Sequence, residues 1–201
     1  MTFLDHILYA ALWLSFGIGH SVLASATVKD ALKGLFDASY RLSYNIFAVI
    51  HIALVLWAGR VFLSDGARGF GIPESGMVAM DMARVLGIVL MGAAVLHYDL
   101  GRFGGLTQIL ERLRGEAEQT EPFRATGLLR FVRHPIYSGA HLFLWASATN
   151  EFAAATAGWG SLYLLIGAWY EEQRLIRLYG DDYRAYRTRV SSIIPWKGRA
   201  I

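Results

Sequence analysis

Arg133-His134-Pro135-Ile136-Tyr137-Ser138-Gly139 joins the most charged part of this 201-residue chain to an apolar run. That run extends to Thr149, breaks only at Asn150-Glu151, and resumes from Phe152 to Tyr170, where Glu171 and Glu172 follow. Two apolar runs separated by two polar residues read as a tight helical hairpin. If its helices are antiparallel, Glu171-Glu172 stands level with Arg133. The reading is that of a chain folded in a bilayer.

Three more apolar segments precede the hairpin, at Phe3–Ala24, Tyr40–Leu63 and Met77–Tyr98. A membrane helix needs about 20 residues, and the fourth segment, Pro135–Thr149, has about fifteen, so it begins below the hydrocarbon edge or spans only in part. The first segment lacks a basic flank and is longer than a signal-peptide core, so a retained helix is expected. The sequence therefore predicts an all-α integral membrane bundle of about five transmembrane helices with a C-terminal cytoplasmic helical cap. It reads as one domain, 1–201, with three spans in 1–98 and the loop, hairpin and cap in 99–201.

Composition agrees. The chain is 55% hydrophobic, 17% charged, with a mean hydropathy of +0.37; soluble domains are about a quarter charged. With no cysteine, disulfides, thiolate metal sites and cysteine nucleophiles are excluded. No metal site is expected. The net charge of +3 reflects topology rather than nucleic-acid binding, because no aromatic–basic groove pattern accompanies it. Sixteen of the nineteen Lys and Arg fall in 25–39, 99–134, 171–201 or at Arg41, leaving Arg60, Arg68 and Arg84 on the other side. The positive-inside rule then places the N-terminus outside and the C-terminus in the cytoplasm. The scarcity of Lys beside Arg points to a bacterial source and so to an inner membrane.

Leu106–Leu113 has helical spacing of apolar positions and reads as an amphipathic helix on the inner surface. Glu171–Tyr179 continues the last span into the cytosol up to Gly180, a helix stop. A short helix follows in which Tyr183 and Tyr186 share a face.

The chemistry-bearing residues gather at the hairpin's polar end. Pro135 suits the first turn of a helix, His134 its N-cap, and Arg133 adds positive charge beside free N–H groups. That combination invites a carboxylate or phosphate. Glu171 and Glu172 offer the opposite charge, to hold an ammonium group or hydroxyls, or to pair with Arg133. His20, His51, His97 and His141 lie within or at the edge of spans, where ionisable groups are functional candidates; pairs of them can in principle ligate haem. P-loop, dinucleotide-fold, zinc-protease and nucleophile-elbow motifs are absent.

The ordered set Gly127-x5-Arg133-His-Pro-x-Tyr137-x-Gly139, then Glu171-Glu172-x-x-Leu175-x3-Tyr179-Gly180-x-x-Tyr183-x-x-Tyr186-x3-Val190-x4-Pro195, resembles the integral-membrane methyltransferase superfamily. That superfamily includes isoprenylcysteine carboxyl methyltransferases and phospholipid N-methyltransferases. Gly19-His20-Ser21-x-Leu23-Ala24-Ser25 and Tyr40-Arg41-Leu42-x-Tyr44-Asn45 resemble its NnrU and methanethiol S-methyltransferase branch. The resemblance implies S-adenosylmethionine bound on the cytoplasmic side beneath the C-terminal segment. By position it implies cofactor contacts from Glu121, Phe123, Arg124, His134, Pro135, Ile136, Tyr137 and Glu171. It also implies catalytic roles for Arg133, His134 and Glu172, and acceptor contacts from His20 and Tyr44. Leu129 and Gly167 stand where the prenylcysteine enzymes carry a Tyr and a carboxylate-binding Arg, which favours a small neutral or thiol acceptor over a prenylated one. A phospholipid amine acceptor and a non-enzymatic haem-binding role linked to denitrification are the alternatives. The expected partners are a small or lipophilic substrate and the bilayer, with no nucleic acid and no obligate protein partner.

Overall fold

The structure is a computed structural model and describes residues 1–116 and 122–197. Among these residues the regular elements are all helical, with two isolated β-bridges and no strand. The helices are α1 (Phe3–Ala24), α2 (Ala26–Ala31), α3 (Lys33–Phe36), α4 (Tyr40–Phe62), α5 (Glu74–Val95), α6 (Leu100–Gly104), α7 (Leu106–Arg114), α8 (Pro135–Ala146) and α9 (Glu151–Arg189). α1, α4, α5 and α9 are long and apolar enough to cross a membrane. Their large exposed residues, among them Leu14, Val49, Val85 and Leu165, are ones water would not tolerate in such number. This is a multi-pass membrane protein.

By packing, the chain forms two units. The first comprises residues 1–68 with 99–120, the second 69–98 with 121–201. The third span, which the sequence groups with the first two, therefore packs with the C-terminal half.

In the first unit, α1 packs on α4. The Thr2 hydroxyl and the Asp5 carboxylate cap the start of α1 reciprocally. Tyr40 donates its hydroxyl to Leu23 O at 2.6 Å, and Asn45 donates to Phe103 O and Gly104 O, both at 3.2 Å. The corner at Gly105 has φ +102°, and a Cβ there would lie 2.6 Å from Leu42 N. Only glycine fits both the conformation and the space. The expected amphipathic helix is present as α7; Glu111 on its inner side is buried against Arg102, while Leu106, Leu110 and Leu113 are exposed.

In the second unit α8 packs against both α5 and α9. α8 has 12 residues, or about 18 Å of rise, short of the roughly 30 Å hydrocarbon layer. Its flanks supply the rest. Gly127 packs against His97 beyond the end of α5, and Phe70 N donates to Thr149 O before its start, at 3.1 Å. The chain from Gly127 to Thr149 thus runs the length of α5, antiparallel to it. Contact is closest at Gly87 and Gly139, where a Cβ on either would meet the other's carbonyl oxygen at 2.8 and 2.7 Å. Such approach is how membrane helices gain packing where lipid supplies no hydrophobic drive.

α9 bends at Gly180, where φ is +57°, at the expected stop. Beyond the bend Tyr183, Tyr186 and Val190 are buried and pack with Phe123, Leu175, Ile176 and Tyr179. The shared face of Tyr183 and Tyr186 is thereby occupied.

Gly139→Ala is expected to lower the unfolding midpoint in detergent, by overpacking worth about 1–3 kcal/mol. Gly92→Ala, on the same helix as Gly87 but with open space around it, serves as the control and loses nothing. Equal midpoints for the two variants would contradict the backbone contact.

Candidate active site

The site lies in the second unit, where the start of α8, the middle of α9 and the segment after α9 converge. His134 is the N-cap of α8 and Pro135 its first residue, as the sequence indicates. Pro135 needs no N–H there. The chain leading in is fixed by a second strand of backbone. Arg133 N donates to Ser191 O at 2.8 Å and His134 N to Ser192 O at 3.0 Å, and the Ser138 hydroxyl donates to Ile193 O at 2.6 Å. Residues 190–193 therefore strap the start of α8.

Glu172 is the electrostatic centre. Its carboxylate accepts from Arg133 Nε at 2.8 Å and Nη2 at 2.6 Å, and from His134 Nε2 at 3.1 Å; Arg187 Nε lies 3.2 Å away. The side chains of Glu172 and Arg133 are each only 8% exposed. Arg133 also donates to the carbonyls of Arg187 and Val190. Its Nε, Nη1 and Nη2 atoms all donate within this chain, so of the two roles open to it, anion site or partner of the glutamates, Arg133 takes the second, on Glu172 and the strap.

Glu171 is placed differently. His134 Nδ1 lies 3.3 Å from it, and its side chain remains 37% exposed. It also hydrogen-bonds Tyr137, whose ring stacks on that of His134 with centroids 5.3 Å apart. His134 thus bridges two carboxylates, one enclosed and one open. Burial opposes charging of its imidazole, but hydrogen bonds to Glu171 and Glu172 outweigh it and raise its pKa above the ordinary value.

Of the other sequence candidates, Pro135 is buried, Ile136 and Tyr137 are half-buried on the first turn of α8, and Arg124 is exposed. Phe123 packs its ring against Tyr179, Tyr183 and Tyr186 at 5.4, 5.7 and 5.2 Å. Glu121 lies outside the described residues. His20 and Tyr44 share a hydrogen bond in the first unit, with Tyr44 Oη 2.5 Å from His20 Nε2. The remaining membrane histidines bond to protein groups: His51 to Ser15, His97 to Ala93 O and His141 to Tyr137 O. Among the described residues no group of three or more His, Asp or Glu can hold a metal ion.

Sequence reasoning missed Arg187, Ser192 and Tyr98. Arg187 reaches Glu172 from the last turn of α9 and Ser192 from the strap, and Tyr98 lies within electrostatic reach of Glu171 and Tyr137. It also missed why Gly127 is glycine: φ is +54°, and a Cβ would fall 2.0 Å from His97 Nε2.

Glu172→Gln leaves the buried Arg133 without its counter-charge and is expected to cost about 3–5 kcal/mol, read as a fall in the denaturation midpoint. The raised His134 pKa adds stability that is full below about pH 6.5 and is lost as pH climbs through the raised folded value. A stability profile should therefore decline on the alkaline side of neutrality and flatten in His134→Gln. A wild-type profile that does not change there would contradict the charged bridge.

No family model and no solved structure matches the chain. Curated proteins do. It is 30% identical over 188 residues to methanethiol S-methyltransferase 1 of Bradyrhizobium diazoefficiens, covering 90% of this chain and 64% of that protein. It is 29% identical over 194 residues to the methanethiol S-methyltransferase of Mycobacterium tuberculosis, covering 92% and 75%. A shorter stretch of 78 residues is 37% identical to the chloroplastic 15-cis-zeta-carotene isomerase of Arabidopsis thaliana, covering 35% and 20%. The chain thus spans just under two thirds of the first relative's length and three quarters of the second's. Likeness to methanethiol S-methyltransferases along nine-tenths of its length, with the ordered motif from Gly127 to Pro195, supports a place for the chain among the integral-membrane methyltransferases.

Proposed function

We propose that the protein transfers the methyl group of S-adenosylmethionine to a small thiol such as methanethiol, at the cytoplasmic face of a bacterial inner membrane. The observation that carries this is the pairing of one enclosed with one open carboxylate on His134, within a chain whose extended relatives are named methanethiol S-methyltransferases.

The residues fit a zwitterionic cofactor. Glu171 keeps an open side to accept from an ammonium group, while Glu172 is enclosed and already engaged by Arg133, His134 and Arg187. N–H groups at the start of α8 face the opposite charge. Tyr137, held by the His134 ring and Glu171, and Ile136 beside it offer apolar surface for the remainder. The bound cofactor supplies an activated sulfonium methyl, so no covalent enzyme intermediate is needed. The protein's part is orientation and exclusion of water. Arg133 is a positioning residue in this account: it fixes Glu172 and the strap, which together set the His134 ring.

Gly167 supports the thiol reading. A Cβ there would lie 3.8 Å from the Tyr137 hydroxyl, so the position is next to the site and bears no charge. An acceptor held by a carboxylate would find no cation from this residue, whereas a small neutral one needs none.

Calorimetric titration of S-adenosylhomocysteine into the detergent-solubilised protein should show one site. His134→Ala and Glu171→Gln are each expected to weaken binding at least about tenfold, the worth of one charge-assisted hydrogen bond. Absence of binding to the wild type, or equal binding by both variants, would refute the assignment.

A further inference from the structure

α5 carries an ion pair where a bilayer offers no water. Asp81 and Arg84 are the eighth and eleventh of the 22 residues of this candidate membrane span. They stand about 10 and 15 Å along the helix from its first residue, within a hydrocarbon layer of roughly 30 Å. Ionisable groups at such depth are costly and as a rule face protein or a cavity rather than lipid. Here the Asp81 side chain is 61% exposed and that of Arg84 32%. Val78, Met82, Val85 and Ile88 around them are exposed too, so this side of α5 meets lipid when the chain stands alone. Among the described residues the two side chains have only each other. Arg84 Nη2 meets Asp81 Oδ1, and Arg84 Nε has no hydrogen bond. A carboxylate held by one guanidinium nitrogen, with the rest of its surface turned to lipid, lacks the donors that water would give it.

The face that bears the pair has the spacing of a helix seam. Met77, Asp81, Arg84, Ile88 and Val95 follow one another in steps of four, three, four and seven, which keeps one stripe of a helix turned to a partner. None of them is buried. Met91, the position between the last two, turns to Gly139 of α8, so the stripe runs beside the contact with α8 rather than beneath it.

The stripe is also self-complementary. Two copies of one chain enter a membrane the same way up, so a twofold axis between them runs along the membrane normal and sets α5 parallel to its copy. Each stripe then meets itself at equal height. Side chains on a helix lean toward its N-terminal end, which carries the guanidinium of Arg84 toward the level of Asp81. Each carboxylate thereby lies between two guanidiniums, one from either copy, and each guanidinium between two carboxylates. A partner bringing one sign of charge would leave the other unmatched, whereas a second copy brings both.

We propose that the protein is a dimer of identical chains, joined along α5 by reciprocal Asp81–Arg84 pairs within the membrane. The proposal does not depend on the methyl-transfer reading.

The test uses the full chain, which has no cysteine of its own. Ile88→Cys puts a thiol in the stripe. Met82→Cys puts one about a third of a turn away, at a position that is more exposed, 69% against 54%. In membranes of the expressing cells, copper phenanthroline should join the first variant into a cross-linked dimer and leave the second single, because a disulfide needs Cα atoms within about 7 Å. Light scattering of the wild type, corrected for detergent, should give twice its 22.3 kDa. Asp81→Arg and Arg84→Asp should each fall to 22.3 kDa, since each sets like charges across the axis. Tagged differently and co-expressed, the two should co-purify as a mixed dimer, each supplying the charge the other lacks. A wild type of 22.3 kDa overturns the proposal, as does equal cross-linking of the two thiols. Folded single-charge variants that do not pair with each other overturn the role of Asp81 and Arg84. Where a charge variant does not accumulate, the cross-linking comparison, which leaves both charges in place, decides.

Discussion

One buried carboxylate organises the second unit. Glu172 gathers Arg133, His134 and Arg187, and through Arg133 it also holds the backbone carbonyls of residues 187 and 190. A charge this deeply enclosed persists only when its partners are complete. The requirement ties three distant stretches of sequence together: the start of α8, the middle of α9 and the strap after it. None of these holds its geometry alone. A 12-residue helix in particular has too little length to fix its own ends.

The second constraint is steric. α5 and α8 touch backbone to backbone at Gly87 and Gly139, and His97 occupies the place where a side chain on Gly127 would stand. These contacts hold the short α8 against the long α5 and set the height of His134. The polar end of the hairpin is consequently a fixed platform rather than a loop that finds its shape on binding. That suits the proposed reaction, in which the protein's part is orientation.

Much of this was legible in the sequence. The apolar runs, the stop at Gly180, the cap at His134-Pro135 and the shared face of Tyr183 and Tyr186 are local signals, set by spacing within one helix or turn. The meeting of Arg133 and His134 with Glu171 and Glu172 followed from the two-residue hairpin turn, which fixes which ends are level. Pairing of Arg133 with the glutamates was one of two readings the sequence left open, beside an anion site; what was not legible was the strap, because 190–193 pairs through backbone atoms that leave no side-chain signature. Gly87 and Gly139 were hidden for a similar reason, since two of 21 glycines are distinguished only by what packs on them.

Glu172 is the enclosed carboxylate of this platform and Glu171 the open one, and the proposed methyl transfer rests on the second. The most direct measurement is headspace gas chromatography of purified protein in lipid vesicles supplied with methanethiol and S-adenosylmethionine carrying a deuterated methyl group. The account predicts dimethyl sulfide bearing one deuterated methyl, formed in step with S-adenosylhomocysteine and, at limiting donor, at least about tenfold slower when Glu171 is replaced by Gln. No labelled dimethyl sulfide from folded wild-type protein would contradict it.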